Sequence, residues 1–465
     1  MLATMESRTD TASAAPLKES GPYWDKFEEL QSTARDPAWV TAARHAAIAR
    51  FGELGFPTLQ DEDWRFTNIA PVAKLPFRPV LAPCTDGIAP EALSQLPFAA
   101  LPGPRLVFVN GHFAAALSNL PPLPNGVKLC SLATALATEP ALVQPHLFRH
   151  AKAEANAFAA LNTAFFQDGV FLCAGPGRIL TDPVRAIYLS TLKDNGAITH
   201  PRNLIIAEPG CQFTFLESYV SLGDAARVTN AVTELVAGDS AVVEHLRFQD
   251  ESPHAYHLAT LHARLGRASQ VIVHSIVTGA KLSRTNINTI LTGEGLECVL
   301  NGLYLVQGDQ LADHHMIVEH ARPQCVSHEY FNGILADKAK GVFHGRILVR
   351  PGARKTDAKQ TNRNLLLSDD ATVDTKPQLE IYADDVKCTH GATVGQLDEE
   401  SIFYLRSRGL GLDTARRLLI HAFAGEIIER IRHAAAREEL DKLVWDRLEQ
   451  HPLVAEKHQD IPKPE

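Results

Sequence analysis

No run of about 18 apolar residues occurs anywhere in the 465-residue chain. Residues 1–21 are rich in Ala, Ser and Thr and hold no continuous apolar stretch of the kind an export leader needs. Neither a membrane span nor secretion is therefore expected. The seven cysteines (84, 130, 173, 211, 298, 325 and 388) are odd in number and never spaced as Cys-x-x-Cys. That excludes a disulfide framework and points to a reducing cytoplasm. An excess of positive charge is missing too: 45 Lys and Arg face 54 Asp and Glu, a net charge of −9. The phosphate attraction that dominates nucleic-acid affinity is thus not on offer, and neither DNA nor RNA is expected as a partner. Gly-x-x-x-x-Gly-Lys-Ser/Thr is absent, so the chain itself is not expected to bind or hydrolyse a nucleotide. Gly-x-Ser-x-Gly and His-Glu-x-x-His are absent as well, which removes the commonest hydrolase signatures.

The remaining composition is that of an ordinary globular chain, 45% hydrophobic and 21% charged. Its length has room for roughly three domains. From Gly169 to about Gly395, short β-branched and aromatic runs alternate with Gly, Asp, Asn and Pro, and no helix-length periodicity survives. Turn glycines recur there. Gly210, Gly238, Gly266 and Gly293 each precede a short apolar run and are 28, 28 and 27 residues apart. Fixed spacing in that range suits a solenoid, whose coils bury their apolar sides only against one another. A β-sandwich with regular turns remains the alternative.

Helical patterning flanks this region. A tail expected to be disordered through residue 20 is followed by a helix opening at Asp36-Pro37 and running to Gly52 or Gly55, with Trp39, Ala42, Ala43, Ala46, Ala47 and Phe51 on its buried stripe. Arg105 to Asn110 reads as a strand, and a second helical region is expected from Glu139 to Gln167. After Gln396, Asp398 caps a helix over Glu399–Ser407, and Asp413 opens a longer one to about His433 whose apolar stripe is Leu418, Leu419, Ala422, Phe423, Ile427 and Ile431. A last helix covers Ala436 to Gln450, followed by a frayed tail from His451. These terminal helices can cap the solenoid end or dock a partner, and capping is the simpler expectation.

Several constellations carry potential chemistry. Cys388 and His390 lie two apart in a strand-like segment, so thiol and imidazole project from one face. Sulfur beside imidazole suits iron, an iron–sulfur cluster or zinc, yet a closed site generally needs four ligands. A small buried thiol beside a turn histidine is the plain alternative. Asp313-His314-His315-Met316-Ile317-Val318-Glu319-His320, followed by Cys325, His328 and Glu329, is the densest run of donors. On a strand, Asp313, His315 and Glu319 face away from His314 and His320. Wall histidines bonded to adjacent coils are favoured, with iron delivery the other reading, and His344 has the same status. Asn362, Arg363 and Asn364 suit an internal polar ladder. The acidic run Asp61-Glu62-Asp63 reads as a solvated turn in preference to a metal site, and Asp384 and Asp385, adjacent on a strand, cannot form a carboxylate dyad.

Three segments surround the Cys388 motif: Gln360-Thr361-Asn362-Arg363-Asn364-Leu365-Leu366-Leu367-Ser368, Thr375-Lys376-Pro377-Gln378-Leu379-Glu380 and Tyr404-Leu405-Arg406-Ser407-Arg408-Gly409. Together with Lys387-Cys388-Thr389-His390-Gly391-Ala392-Thr393-Val394-Gly395 they resemble the SufB/SufD family, scaffold subunits of the SUF iron–sulfur cluster assembly machinery. The resemblance is dense over roughly Gly341 to Ile431. It implies a mainly β fold: a right-handed parallel β-helix over 169–396, an N-terminal α+β region over 21–168 and a C-terminal helical domain over 397–465. It also implies pairing with a SufB-type paralogue through the β-helices, a SufC-type ABC ATPase docked on the C-terminal helices, and transient iron or a nascent cluster at the paired interface, with His390 and Cys388 as this chain's matching positions. A homodimer is possible for the isolated chain. The competing expectation is a β-helix carbohydrate-active enzyme, a polysaccharide lyase or hydrolase; the missing export leader and the lack of a same-face carboxylate pair weigh against it.

Overall fold

The computed structural model describes residues 21–450 apart from 85–87, 89, 155, 192 and 194. The tails expected to be disordered, 1–20 and 451–465, lie outside the described residues. The fold is mainly β, a parallel β-solenoid with helices at both ends of the chain. Its coils alternate between two sheets. Val228–Ala237, Tyr256–Leu265, Leu282–Leu291, Leu311–His320, Lys340–Val349 and Thr372–Ile381 run side by side in the first sheet. Gln212–Ser221, Val242–Asp250, Gln270–Val277, Glu297–Val306, Val326–Leu335, Asp357–Leu366 and Lys387–Gly395 do so in the second. All of these pairings are parallel, so each coil places one strand in each sheet and hydrogen-bonds to the coil before and after it.

The recurrence seen in the sequence is the coil repeat. Val242 pairs with Gln270 and Gln270 with Glu297, offsets equal to the spacing of the turn glycines. Two kinds of turn position are involved. Gly210, Ser240, Ala268, Gly295, Gln324, Lys355 and Asp385 all take φ between 53° and 71°, each two residues before a second-sheet strand. Only two of the seven are glycine, so the left-handed turn is partly hidden from a search for glycine. Gly238, Gly266 and Gly293 serve a different need, close stacking of turn on turn. A Cβ at Gly293 would lie 2.1 Å from the backbone nitrogen of Arg267.

Alternation in each strand sends one set of side chains inward. Val243, Val271, Val273, Cys298, Leu300 and Phe331 belong to the interior cluster. Bulk is matched by missing bulk: a Cβ at Gly302 would meet the Phe331 ring at 2.1 Å, and one at Gly333 would meet the Tyr304 ring at 2.2 Å. Toward the C-terminal coils the interior turns polar. Asn364 Nδ2 donates to Asn362 Oδ1 (2.7 Å), Tyr304 donates to Asn364, and Gln360 Nε2 donates to Glu329 Oε2 (2.8 Å). Asn362 and Asn364 thus form an inner network as expected, whereas Arg363, one residue out of phase, faces outward to Glu426. Burial pushes the Glu329 carboxyl up to about 7, only partly opposed by the hydrogen bond from Gln360.

The N-terminal region covers the outer face of the first sheet. Its helices differ from expectation in three ways. An additional helix, Pro22–Thr33, precedes the helix Ala38–Leu54. The latter buries Val40, Arg44, Ala47, Ile48 and Phe51 rather than Ala42 and Ala46, because Arg44 is drawn inward by Asp36 (2.7 Å) and the Ala164 carbonyl (3.0 Å). The helical region expected over 139–167 begins earlier and is discontinuous, forming Leu132–Thr138, Pro140–Val143 and Ala157–Phe165, with the last two separated where Phe148, His150 and Ala151 donate backbone N–H groups to Glu234. Glu234 also pairs with the wholly buried Arg202 (2.7 Å), which reaches Asn162 and Thr163 on the third of these helices. Removing one partner of such a pair typically costs about 3–5 kcal/mol. The strand Arg105–Val109 joins the second sheet beside Val184–Ser190, so the solenoid recruits residues from before 169.

The C-terminal helices do not cap the solenoid. Leu412–Ile428 and Ala434–Gln450 fold back along the outer face of the second sheet, packing Ile420, Ala424, Ile427, Leu440 and Val444 on Leu246, Phe248, Ile276, Leu303 and Ile334. The buried stripe is therefore rotated from the expected one: Leu418 and Leu419 are half-buried and Ala422 is exposed. Gly411 rather than Asp413 is the N-cap, while Asp398 caps Glu399–Ser407 as expected. Among the described residues no helix is long and apolar enough to cross a membrane.

Three substitutions test these contacts through stability. Gly293→Ala forces backbone apart between coils and is expected to destabilise the protein by about 1–3 kcal/mol in urea denaturation. Gly425→Ala, in a helix with open space around the new methyl, is expected to stabilise it by roughly 0.5–1 kcal/mol. For Glu329 the folded carboxyl holds its proton to higher pH than an unfolded one, so its burial becomes destabilising as pH rises from about 4.5 to about 7. Glu329→Gln should then stabilise the fold by roughly 1–3 kcal/mol at pH 8 and by little at pH 4.5. Equal gains at both pH values would contradict the assignment.

Candidate functional site

The solenoid ends differ. At the N-terminal end each sheet finishes in an antiparallel strand, Val127–Ser131 against Val170–Ala174 and His112–Phe113 against Arg105–Val109. At the other end Thr372–Ile381 and Lys387–Gly395 are the outermost strands of their sheets, and among the described residues no further strand pairs with them. No described strand lies along that side, and Ile381, Tyr382 and Val394 are exposed.

Cys388 and His390 lie on this last coil. Their register places Cys388 beside Ala358 and His390 beside Gln360. Ala358 and Gln360 are both buried, so the two donors continue the inward-facing columns of the solenoid. Because no coil follows, His390 is exposed and Cys388 half-buried. Cys388 packs against Ile347, Val349 and Ala358. Burial, and then the Asp357 carboxylate, raise its thiol above the usual range, so the group is protonated at neutral pH and must lose that proton to bind a metal. Behind His390 the same column holds Gln360 and Glu329, the pair described above. Sequence patterning singled out Glu329 in a run of donors but did not align it or Gln360 with His390, since that alignment depends on a register spanning two coils. Among the described residues, no third His, Cys, Asp or Glu joins Cys388 and His390 closely enough to share an ion.

The histidine-rich strand is split between two faces, as its alternation requires. His314 and His320 are interior wall residues, bonded to Ser275 Oγ (3.1 Å) and Ser327 Oγ (2.8 Å). Burial lowers both imidazoles, to about 3 and about 4, so both stay neutral. Cys325 is buried and donates to the Gly293 carbonyl (3.2 Å). His328 lies on the outer side, 3.8 Å from Asp357. Asp384 and Asp385 are exposed in the last turn, and Asp385 supplies its left-handed residue.

His315 and His344 face outward in adjacent register on neighbouring strands, with ring centroids 4.5 Å apart. The segment around Glu62–Trp64 is laid over them. Trp64 stacks on Arg284 (3.7 Å), Thr67 Oγ1 donates to Asp313 Oδ2 (2.5 Å), Lys340 Nζ donates to the Phe66 carbonyl (3.0 Å) and Lys376 Nζ donates to Glu62 (2.6 Å). The acidic run is exposed, as expected of a solvated turn, but it is also clamped to the solenoid.

Comparison with known proteins agrees with this architecture. Residues 190–423 match the family model described as SUF system FeS cluster assembly, SufBD core domain, and residues 18–186 match the SufBD protein N-terminal region. An iron–sulfur cluster assembly SufBD family protein of Synechocystis is 33% identical over 90% of this chain and 93% of its own length. Iron–sulfur cluster assembly protein SufD of Escherichia coli is 31% identical over 91% of this chain and 96% of its own, and that of Bacillus subtilis 26% over the same shares. The chain belongs to the SufB/SufD family of SUF-system iron–sulfur cluster assembly proteins.

Proposed function

We propose that this chain is the SufD-type scaffold subunit of a cluster assembly complex and carries out no catalysis of its own. One observation carries the reading: the last coil leaves two inward-facing donors, Cys388 and His390, uncovered at an unpaired sheet edge. An exposed strand edge recruits another strand. A SufB-type paralogue ending in a similar coil would satisfy the backbone of Thr372–Ile381 and Lys387–Gly395 and cover Ile381, Tyr382 and Val394. It would also bring the ligands that the half-site lacks. Iron or a nascent cluster is the cargo of that joint site, with His390 a ligand or entry group and Cys388 its neighbour. When the two chains separate, the coordination sphere halves and the cargo can leave. The isolated chain could use the same edge to form a homodimer.

The work of separation would come from a SufC-type ABC ATPase, since this chain has no phosphate-binding loop. The helix Glu399–Ser407, next to the last coil, leaves Phe403 74% and Tyr404 56% exposed. Large aromatics in that position suit an interface hot spot. The two helices after it are engaged on the second sheet, so deleting 397–465 would strip an apolar face and would not test docking cleanly. Free, scattered cysteines agree with a cytoplasmic setting. The relatives are iron–sulfur cluster assembly proteins, which favours this reading over the carbohydrate-active one.

His390→Ala is expected to leave thermal stability within about 0.5 kcal/mol, as for other exposed positions, while iron and sulfide retained by the reconstituted complex fall roughly tenfold or more. Cys388→Ala should have a smaller effect, and iron retention by the unaltered complex should rise with pH as the thiol gives up its proton. An unfolded His390→Ala protein would point to a structural role, and undiminished cluster yield would remove His390 from the site. Phe403→Ala with Tyr404→Ala should weaken capture of the ATPase roughly thirty-fold without disturbing paralogue pairing. Unchanged capture would move the docking site elsewhere.

A further inference from the structure

We propose that Asp63, His315 and His344 form a second metal site, one that binds a divalent first-row ion such as Fe²⁺ or Zn²⁺ independently of Cys388 and His390. One donor atom from each of the three residues lies within 4.8 Å of the others, the sole such grouping among the described residues. An ion that holds nitrogen and oxygen ligands at about 2.0–2.2 Å in a tetrahedral shell sets neighbouring donors about 3.3–3.6 Å apart. Closing the remaining distance of up to about an ångström falls chiefly to Asp63, whose side chain is 69% exposed.

The histidines are already oriented as ligands. His344 Nε2 lies 2.8 Å from Gln378 Oε1, an acceptor, so this nitrogen carries the proton and Nδ1 presents its lone pair; Nδ1 is 4.0 Å from Asp63 Oδ1. His315 Nε2 lies 3.3 Å from Asp313 Oδ1, a buried carboxylate oxygen that has no hydrogen-bond partner of its own. A carboxylate or amide behind the imidazole is the usual support of a metal-bound histidine. Nearby cations oppose a metal, but each has its own anion: Arg284 holds Asp313 (2.6 Å), Lys376 holds Glu62 (2.6 Å) and Arg346 holds Glu380 (3.6 Å). Two histidines and one carboxylate leave positions for water, the arrangement of open zinc and non-haem ferrous sites. A bound ion would also pin the 62–64 segment to two strands about 250 residues further along the chain.

The test uses the full chain carrying Cys388→Ala and His390→Ala, so that the solenoid-end half-site cannot contribute and a failure here leaves the function proposed above untouched. Anaerobic titration with Fe²⁺ alone, and with Co²⁺ as a spectroscopic probe, should show one equivalent bound with d–d bands of nitrogen and oxygen ligation, together with a raised melting temperature. Asp63→Asn, at an exposed position that does not endanger folding, should weaken binding roughly tenfold or more, and His344→Gln should abolish the Co²⁺ spectrum. Asp61→Asn should change nothing. Absence of binding, or binding unaltered by Asp63→Asn, would overturn the proposal.

Discussion

Every coil of a parallel solenoid must have its backbone hydrogen bonds completed by the coils on either side, and the rest of this structure follows from that requirement. Within the stack it is met residue by residue, as where Gln270 joins Val242 below to Glu297 above. Turn geometry obeys it too, since left-handed residues recur two positions ahead of the second-sheet strands whether or not glycine is available. At the N-terminal end the stack is terminated by antiparallel strands. At the C-terminal end no strand among the described residues completes it. The same open edge therefore offers backbone groups to a partner and exposes inward-facing side chains that every earlier coil would bury.

The flanking regions are covers for the two outer sheet faces. Both are held by buried polar anchors as well as by apolar packing. Glu234 gathers three backbone N–H groups and Arg202 under the N-terminal helices, and Glu244 accepts from Arg432 N (2.6 Å) and His433 N (3.1 Å) where the C-terminal helices turn. Burial alone would push the Glu234 and Glu244 carboxyls up, but Arg202 beside one, His274 beside the other and the backbone donors outweigh it and hold both below the ordinary value. Buried charge satisfied on all sides favours one docking geometry over others, because sliding a helix by a turn would strand the carboxylate. The helix carrying Phe403 and Tyr404 has no such anchor among the hydrogen bonds to the sheets and remains the outward-facing element.

Much of the fold was legible in the residue pattern. The 27- to 28-residue spacing of Gly238, Gly266 and Gly293 reflects turns stacked so closely that a side chain cannot fit, a requirement that writes itself into the sequence. Alternation along Asp313–His320 separated its histidines correctly, and Asp398 announced its helix. Less legible were the helices whose buried face is chosen by a polar anchor. Periodicity selected Ala42 and Ala46, yet Arg44 faces inward because Asp36 and the Ala164 carbonyl receive it there. The region 139–167 carries helical patterning, yet its continuity is broken where Glu234, far along the chain, claims the N–H groups of Phe148, His150 and Ala151.

The residue pattern by itself carried the coil length and the shared face of Cys388 and His390, because these depend on local turn chemistry and a two-residue period, while a β-sandwich stayed open beside the solenoid until strand pairing decided between them. Tertiary structure alone decided that this face belongs to the last coil, with Gln360 and Glu329 aligned behind His390. It alone brought Asp63 to His315 and His344 across some 250 residues. Neither arrangement leaves a local trace, since parallel register and the docking of a distant loop are set by which surfaces exclude water together rather than by any spacing within one segment.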